Sequence, residues 1–403
     1  MRKPRVFSKK NENSETNSKA MDSVRLSFRV LFFSILFFAL VLRTAIFFIP
    51  HNETDELIYV TLADKVSKDF FDYTLQGTPL LSKLPQGTYD HPLFLRPPLF
   101  VYLLAFFRTF HAELLLPLLS GLAVLCITFS IAKKRPAGDH FALLAFLLVA
   151  FCPILLFASV RILIDIFLTL LVSLTVLLCT LAAEKKTSIL FVLLGATFGL
   201  AVLTKETAVL VLPVLVYLIF KPGVTWNQFR HFLFFGVTAL LVSSPWYYYF
   251  HKVTGAFFLG SGISEENLQI PFVNMMVNRS WYFYFLHSVL LAPIYLFGYY
   301  AIIERVRHKE CLAEVIWVLS YFIPLTFYGL SGQGYQTRYI LPAVPALAIL
   351  TAGSLYRLGH RVEIITVALL AYGLWTGILN SLLFKLADLF TPIQFIGEMW
   401  AQS

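Results

Sequence analysis

The chain has 403 residues, of which 58% are hydrophobic and only 14% charged, where a soluble domain has roughly 45 to 50% apolar and about 25% charged residues. That balance excludes a soluble globular protein, and the mean hydropathy of +0.74 is spread over many apolar runs of roughly 20 residues, the length that spans a hydrocarbon core about 30 Å thick. The net charge of +9 is read first as a topology signal rather than a nucleic-acid surface, because cytoplasmic loops of membrane proteins concentrate Lys and Arg.

Residues 1–25 contain the polar stretch NENSETNSKA and the cations Arg2, Lys3, Arg5, Lys9, Lys10 and Lys19. They read as a disordered basic tail on the cytoplasmic side. The first apolar run is too long and too far into the chain for a cleaved signal peptide, so it is expected to stay as a membrane span. Spans are predicted near 26–49, 112–132, 139–158, 162–183, 187–203, 206–221, 230–250, 281–303, 312–331, 338–357 and 363–384. With the N-terminus inside, alternation over these eleven crossings puts KKR at 133, EKK at 184, KPGVTWNQFR at 221, ERVRHKE at 304 and RLGHR at 357 all on the cytoplasmic face. The segment 96–113 is too short between Pro98 and Arg108 to cross, and a crossing there would invert every later loop. It is read as a re-entrant or interfacial helix.

The expected architecture is an all-α polytopic membrane domain over 26–385, with a first outer loop at 50–97, a second at 251–280, and a short tail at 386–403. The outer face collects the remaining polar groups: the first loop, the turn from Arg161 to Asp165, Lys205 with Glu206, the second loop, and GQGYQTR at 332–338. Ionisable groups beside membrane spans are costly and usually face a cavity or a partner. The four cysteines lie in spans or at the cytoplasmic edge, which implies no disulfide framework. The sequence has no Gly-rich nucleotide loop after a strand and no Cys or His pair at zinc spacing, which disfavours soluble nucleotide-sugar and ATP chemistry.

In the first loop Ile58, Leu62, Val66 and Phe70 recur every fourth residue, flanked by Tyr59 and Ala63, with polar residues on the other face. This is the pattern of an amphipathic helix on the membrane surface. Asp55 and Glu56 fall in its first turn. Two readings stay open for them: a helix cap and dipole complement with no chemistry, or a carboxylate placed as general base for an acceptor hydroxyl.

The order of TDELIY, FLRPPLFVYLLAFF, RILIDIFLTLLVSL, GLAVLTKETAVLVLPVL, SSPWYYYF and QTRYILPAVPALAIL resembles the GT-C membrane glycosyltransferases, in the branch of the protein O-mannosyltransferases and aminoarabinose transferases. The resemblance runs from about residue 40 to 355. It implies a GT-C fold and a polyprenyl-phosphate sugar donor held in the bilayer. An acceptor of unidentified kind, protein, lipid or glycan, would attack the donor from the non-cytoplasmic side with inversion, and no nucleic acid would take part. A lipid phosphate is a competent leaving group, so the site needs a base for the acceptor and positive charge for the departing phosphate.

By that resemblance Asp55 corresponds to the catalytic carboxylate, with Glu56 assisting and Asp165 a further acid at the outer end of a span. Arg96, Arg161, Lys205, Arg338 and Tyr339 are the candidate substrate contacts. Arg161 and Asp165 are also spaced four residues apart, as for an intrahelical ion pair, and Lys205 and Glu206 are read as forming either a mutual or a long-range pair. The acid and lysine that precede Pro-Pro-Leu in similar proteins are replaced here by Leu95 and Arg96. No cofactor is therefore assigned, and a divalent metal ion stays an open alternative with Asp90 and His91 as its weak candidates. Rival readings are a transporter or flippase for lipid-linked glycans, a ligase or polymerase of the O-antigen type, and a non-catalytic subunit of a glycosylation complex.

Overall fold

The computed structural model describes residues 29–46, 54–84, 91–94, 96–221, 223–255, 282–308, 311–328, 336–358 and 371. The basic tail, Asp90, nearly all of the second outer loop, the glycines of GQGYQ, the span expected at 363–384 and the tail at 386–403 lie outside the described residues.

Among the described residues the protein is helical and contains no strand. Helix α1 (Arg29–Ile46) leads to α2 (Thr54–Lys68), α3 (Leu99–Arg108), α4 (Leu115–Lys133), α5 (Gly138–Ala150), α6 (Pro153–Ala158), α7 (Ile164–Lys185) and α8 (Ser188–Val202). A 3-10 turn over Glu206–Val211 opens α9 (Leu212–Phe220), followed by α10 (Trp226–Thr254), α11 (Phe283–Leu291), α12 (Leu296–His308) and α13 (Leu312–Tyr328). A second 3-10 turn, Thr337–Ala343, opens α14 (Val344–Arg357). Four stretches are each long and apolar enough to cross a membrane: α1, α4, α7 and Thr337–Arg357. Side chains such as Phe33 and Phe37 on α1 and Leu240 and Leu241 on α10 are exposed, an apolar outer surface suited to lipid rather than water. The chain is an integral membrane protein.

Several spans expected as single helices are broken, and prolines mark the breaks. Pro153 starts α6, and Cys152 before it is extended, as a residue preceding proline tends to be. Pro293 stands between α11 and α12, and Pro213 and Pro345 occupy the first turns of α9 and α14. A proline has no N–H to donate and its ring clashes with the preceding turn, so it is favoured where a helix begins, although Pro245 and Pro324 lie inside α10 and α13.

The bundle has two distinct ends. At one, Lys134 at the end of α4 meets Glu184 at the end of α7 at 2.6 Å, Arg135 pairs with Glu314 at the start of α13, and Arg357 of α14 reaches Glu304 of α12 at 2.5 Å. The starts of α7 and of the Thr337–Ala343 turn meet at the other end. There α2 and α3 pack against each other. The expected face of α2 is the buried one, with Ile58, Tyr59, Leu62, Ala63 and Val66 inside against Phe100, Val101, Leu104 and Ala105 of α3. Burying each large aliphatic group stabilises the pair by about 1.5–3 kcal/mol. Phe70 departs from the expected stripe: α2 ends at Lys68, and Phe70 is exposed. Helix α3 has 10 residues, about 15 Å at 1.5 Å per residue, too short to cross. Its last residue, Arg108, bonds Asp64 of α2 at 3.0 Å and Glu113 at 3.3 Å.

Candidate functional site

The acids and cations of the outer sequence motifs converge on one cluster, supplied by five separate pieces of chain. Asp55 and Glu56 lie in the first turn of α2, where an acidic side chain complements the helix dipole. Arg161 belongs to the link between α6 and α7. Asp165 is in the first turn of α7, Lys205 sits in the extended joint between α8 and the next 3-10 turn, and Arg338 opens the turn before α14.

Arg338 is the bridge. Its Nη2 donates to Asp55 Oδ2, and its Nε lies 3.4 Å from Asp165 Oδ2. The other oxygen of Asp165 accepts from Lys205 Nζ at 2.7 Å, with both side chains almost wholly buried. Lys205 Nζ also stands 4.2 Å from the centre of the Tyr339 ring, a cation–π arrangement. Burial pulls the pKa of Lys205 down, and the Asp165 carboxylate opposes that pull. Arg96, in the link before α3, lies within electrostatic reach of Tyr59, Tyr339, Glu206 and Asp55. Burial works against its charge, but these neighbours outweigh it and raise its pKa above the ordinary value.

Glu56 points elsewhere. One oxygen accepts from Arg161 Nη1 and the other from the Ile162 N–H, both at 3.0 Å, tying the start of α2 to the link before α7. One expected pairing is thereby corrected, and one that stood open between a mutual and a long-range partner is decided for the latter. Arg161 does not pair with Asp165, because Leu163 is extended and α7 starts only at Ile164, so the two residues do not share a helix. Lys205 reaches Asp165 rather than closing a local pair with Glu206. Tyr59 was not singled out for the site, although its position four residues after Asp55 places both on one face of α2. Arg43, an outer-layer cation in sequence, stays with the bundle interior: its Nη1 bonds the carbonyls of Ala39 and Ala150 at 3.0 and 3.3 Å.

His91 is held in a loop where its carbonyl accepts from Thr74 Oγ1 at 2.9 Å. Among the described residues no three His, Cys, Asp or Glu side chains gather as metal ligands. The carboxylates of the cluster face Arg and Lys instead, an arrangement that does not fit a metal centre, and no step is derived through one.

Comparison with known proteins sets similar chains beside this geometry. Residues 90–249 match the family model of dolichyl-phosphate-mannose-protein mannosyltransferase. An undecaprenyl phosphate-alpha-4-amino-4-deoxy-L-arabinose arabinosyl transferase of Pseudomonas aeruginosa (strain UCBPP-PA14) is 30% identical over 194 residues, covering 46% of this chain and 34% of that protein. ArnT from Cupriavidus metallidurans superposes in its apo state with a TM-score of 0.58 at 20% identity, over 84% of this chain and 61% of ArnT. Bound to undecaprenyl phosphate, it superposes with a TM-score of 0.60 at 21% identity, over 85% of this chain and 61% of ArnT. The chain has the fold of ArnT. The resemblance read from the motifs is thus borne out at the level of the fold. The chain nevertheless spans less than two thirds of the length of these relatives.

Proposed function

We propose that the chain is an inverting glycosyltransferase that moves a sugar from a polyprenyl-phosphate donor to an acceptor at the non-cytoplasmic face, and that 26–385 form its catalytic domain. The observation that carries this reading is the Arg338 bridge between Asp55 and Asp165, with Lys205 on the second acid. It puts a carboxylate and a set of cations side by side at one end of a membrane bundle, which is what phosphate departure from an anomeric carbon requires. Binding of undecaprenyl phosphate by ArnT, a protein of the same fold, supports a lipid phosphate as the ligand. The gathering of Lys134, Arg135 and Arg357 at the opposite end supports a cytoplasmic placement of that end by the positive-inside rule, with the N-terminus on the same side.

In this reading Arg338 gives up Asp55 for a phosphate oxygen when the donor enters, and Lys205 and Arg96 add their charge to the phosphate site. Asp55, released from Arg338, is free to meet the acceptor. It takes the proton of the acceptor as the new bond to the anomeric carbon forms, the old carbon–oxygen bond breaks, and its electron pair leaves on the phosphate. Asp165 holds Lys205 and Arg338 in place, Glu56 and Arg161 hold the turn that presents Asp55, and Tyr339 lines the site beside Lys205.

The test is consumption of a panel of polyprenyl-phosphate sugars by the full chain in lipid vesicles, comparing wild type with Asp55→Asn at equal folded amounts. One donor should be consumed, and the substitution should slow its consumption by on the order of a hundredfold or more. Equal rates for the two proteins would overturn the assignment of Asp55. Tight binding of a donor that emerges unchanged on the other side of the vesicle would replace the transferase by a flippase.

A further inference from the structure

Arg338, Lys205 and Arg161 each hold a carboxylate, but Arg96 does not. Among the described residues the Arg96 side chain closes no ion pair or hydrogen bond, and the Glu206 carboxylate is bonded only by its own backbone N–H. Both side chains are half-buried, yet neither is sealed. The guanidinium nitrogens of Arg96 and at least one carboxylate oxygen of Glu206 stay open to a molecule the size of water. The two charges lie within electrostatic reach of each other. A sheltered guanidinium and carboxylate gain by closing on one another, and here they stand open to a third group instead.

Backbone geometry sets this arrangement. The Leu99 N–H donates to the Leu203 carbonyl at 3.0 Å, which fixes the segment of Arg96 beside the joint that carries Lys205 and Glu206. Lys205 is extended, and in an extended chain successive side chains point to opposite sides. Lys205 turns to Asp165 and to the Tyr339 ring, so Glu206 turns the other way, where Tyr73 and Tyr247 feel its charge. That wall is aromatic. The Tyr73 hydroxyl donates to the carbonyl of Pro97, next to Arg96, at 3.3 Å, and the Tyr73 ring meets Trp246 edge-on at 5.4 Å. An ionised carboxylate only accepts hydrogen bonds, so the group that completes Glu206 must bring O–H or N–H donors, whereas Arg96 calls for an anion. A sugar ester of a lipid phosphate carries both a few bonds apart, and the C–H face of its ring can rest on aromatic side chains.

We propose that Glu206 determines which sugar the donor carries: its carboxylate accepts hydrogen bonds from two adjacent hydroxyl or amino groups of the sugar, while Arg96 holds the phosphate to which that sugar is joined. The inference rests on the polyprenyl-phosphate reading of the site and adds a charge rule to it. A sugar with a carboxylate of its own would meet Glu206 and be repelled. Neutral and amino sugars are therefore accepted and uronic acids refused.

The experiment titrates the full chain in detergent micelles, by calorimetry, with the glucosyl, mannosyl, galactosyl and glucuronosyl esters of undecaprenyl phosphate. Undecaprenyl methyl phosphate, a diester with the same phosphate charge and no sugar, is the reference. At least one neutral sugar ester should bind wild type about tenfold or more tightly than the methyl diester, the effect of hydrogen bonds to a charged group, and the glucuronosyl ester should bind more weakly than that neutral ester. Glu206→Gln should lose the preference for the sugar and narrow the gap to the glucuronosyl ester. It should bind the methyl diester at least as tightly as wild type, because a negative charge beside the phosphate is gone. Glu206→Asp, which keeps the charge on a shorter arm, should lose the preference but still refuse the glucuronosyl ester. A folded Glu206→Gln protein that keeps the wild-type preference, or that loses affinity for every diester by the same factor, would overturn the proposal. So would a wild type that binds no sugar ester better than the methyl diester, and that result leaves the lipid-phosphate reading standing. A wild type that binds none of the diesters would overturn both.

Discussion

Asp165→Asn probes the cluster most directly, because it keeps the side-chain shape and removes one buried charge. The side chains of Asp165 and Lys205 are 3% and 6% exposed, and their ion pair closes at 2.7 Å. Breaking a buried pair by removing one partner costs about 3–5 kcal/mol. The Asn oxygen still accepts a neutral hydrogen bond from Lys205, worth about 1 kcal/mol, so a net loss of about 2–4 kcal/mol is expected. Arg338 keeps Asp55 as a partner, whereas Lys205 keeps the Tyr339 ring as its other described contact. The stranded charge is therefore the lysine's, and adding Lys205→Met should restore stability to within about 1–2 kcal/mol of wild type. The assay is the folded fraction against rising SDS in mixed micelles for wild type, both single variants and the double. If Asp165→Asn matched wild type within about 0.5 kcal/mol, or if the losses of the singles simply added in the double, the buried ion pair would not be holding this end of the bundle together.

Glu56→Gln should loosen the tie to Arg161 and Ile162 at a cost of about 1.5–3 kcal/mol, and hydrogen exchange should speed up at the Ile162 N–H and not in the middle of α7. Arg96→Met should raise the donor KM by about tenfold or more, the loss of one charge-assisted bond to phosphate, with a smaller change in kcat; an unchanged KM would remove Arg96 from the donor site. Gly195→Ala should destabilise the protein by about 1–3 kcal/mol in the same SDS titration, because the new methyl would stand 2.4 Å from the Phe235 carbonyl oxygen and 2.8 Å from Thr238 Cβ of α10.

Periodicity made α2 legible before any coordinates. The stripe of Ile58, Leu62 and Val66 predicted both the helix and its buried face, since a 3.6-residue period acts within one element. The shortness of the segment at 96–113 was readable too, and its helix α3 has 10 residues. Helix breaks were less so: Pro153 and Pro293 were visible, but hydropathy averaged over a window runs through them. The partners in the cluster were the least legible. Spacing suggested Arg161 with Asp165, yet one extended residue, Leu163, removed the helix on which that spacing depends. The true partners, Lys205 and Arg338, come from distant pieces of chain, and no local rule connects them.

The bond between Arg338 and Asp55 joins residues 283 positions apart, and this separation bears on biosynthesis. At about 5–20 residues per second, ribosomes need roughly 15–60 s to make the intervening chain. Throughout that interval the emerging protein has its acidic turn and most of its bundle but not the guanidinium that joins Asp55 to Asp165. Assembly of the site is therefore a late event in translation. A chain stalled before residue 338 could insert most of its helices and still lack the bridge between the two acids, which gives membrane quality control a chemical difference by which to distinguish finished molecules from unfinished ones.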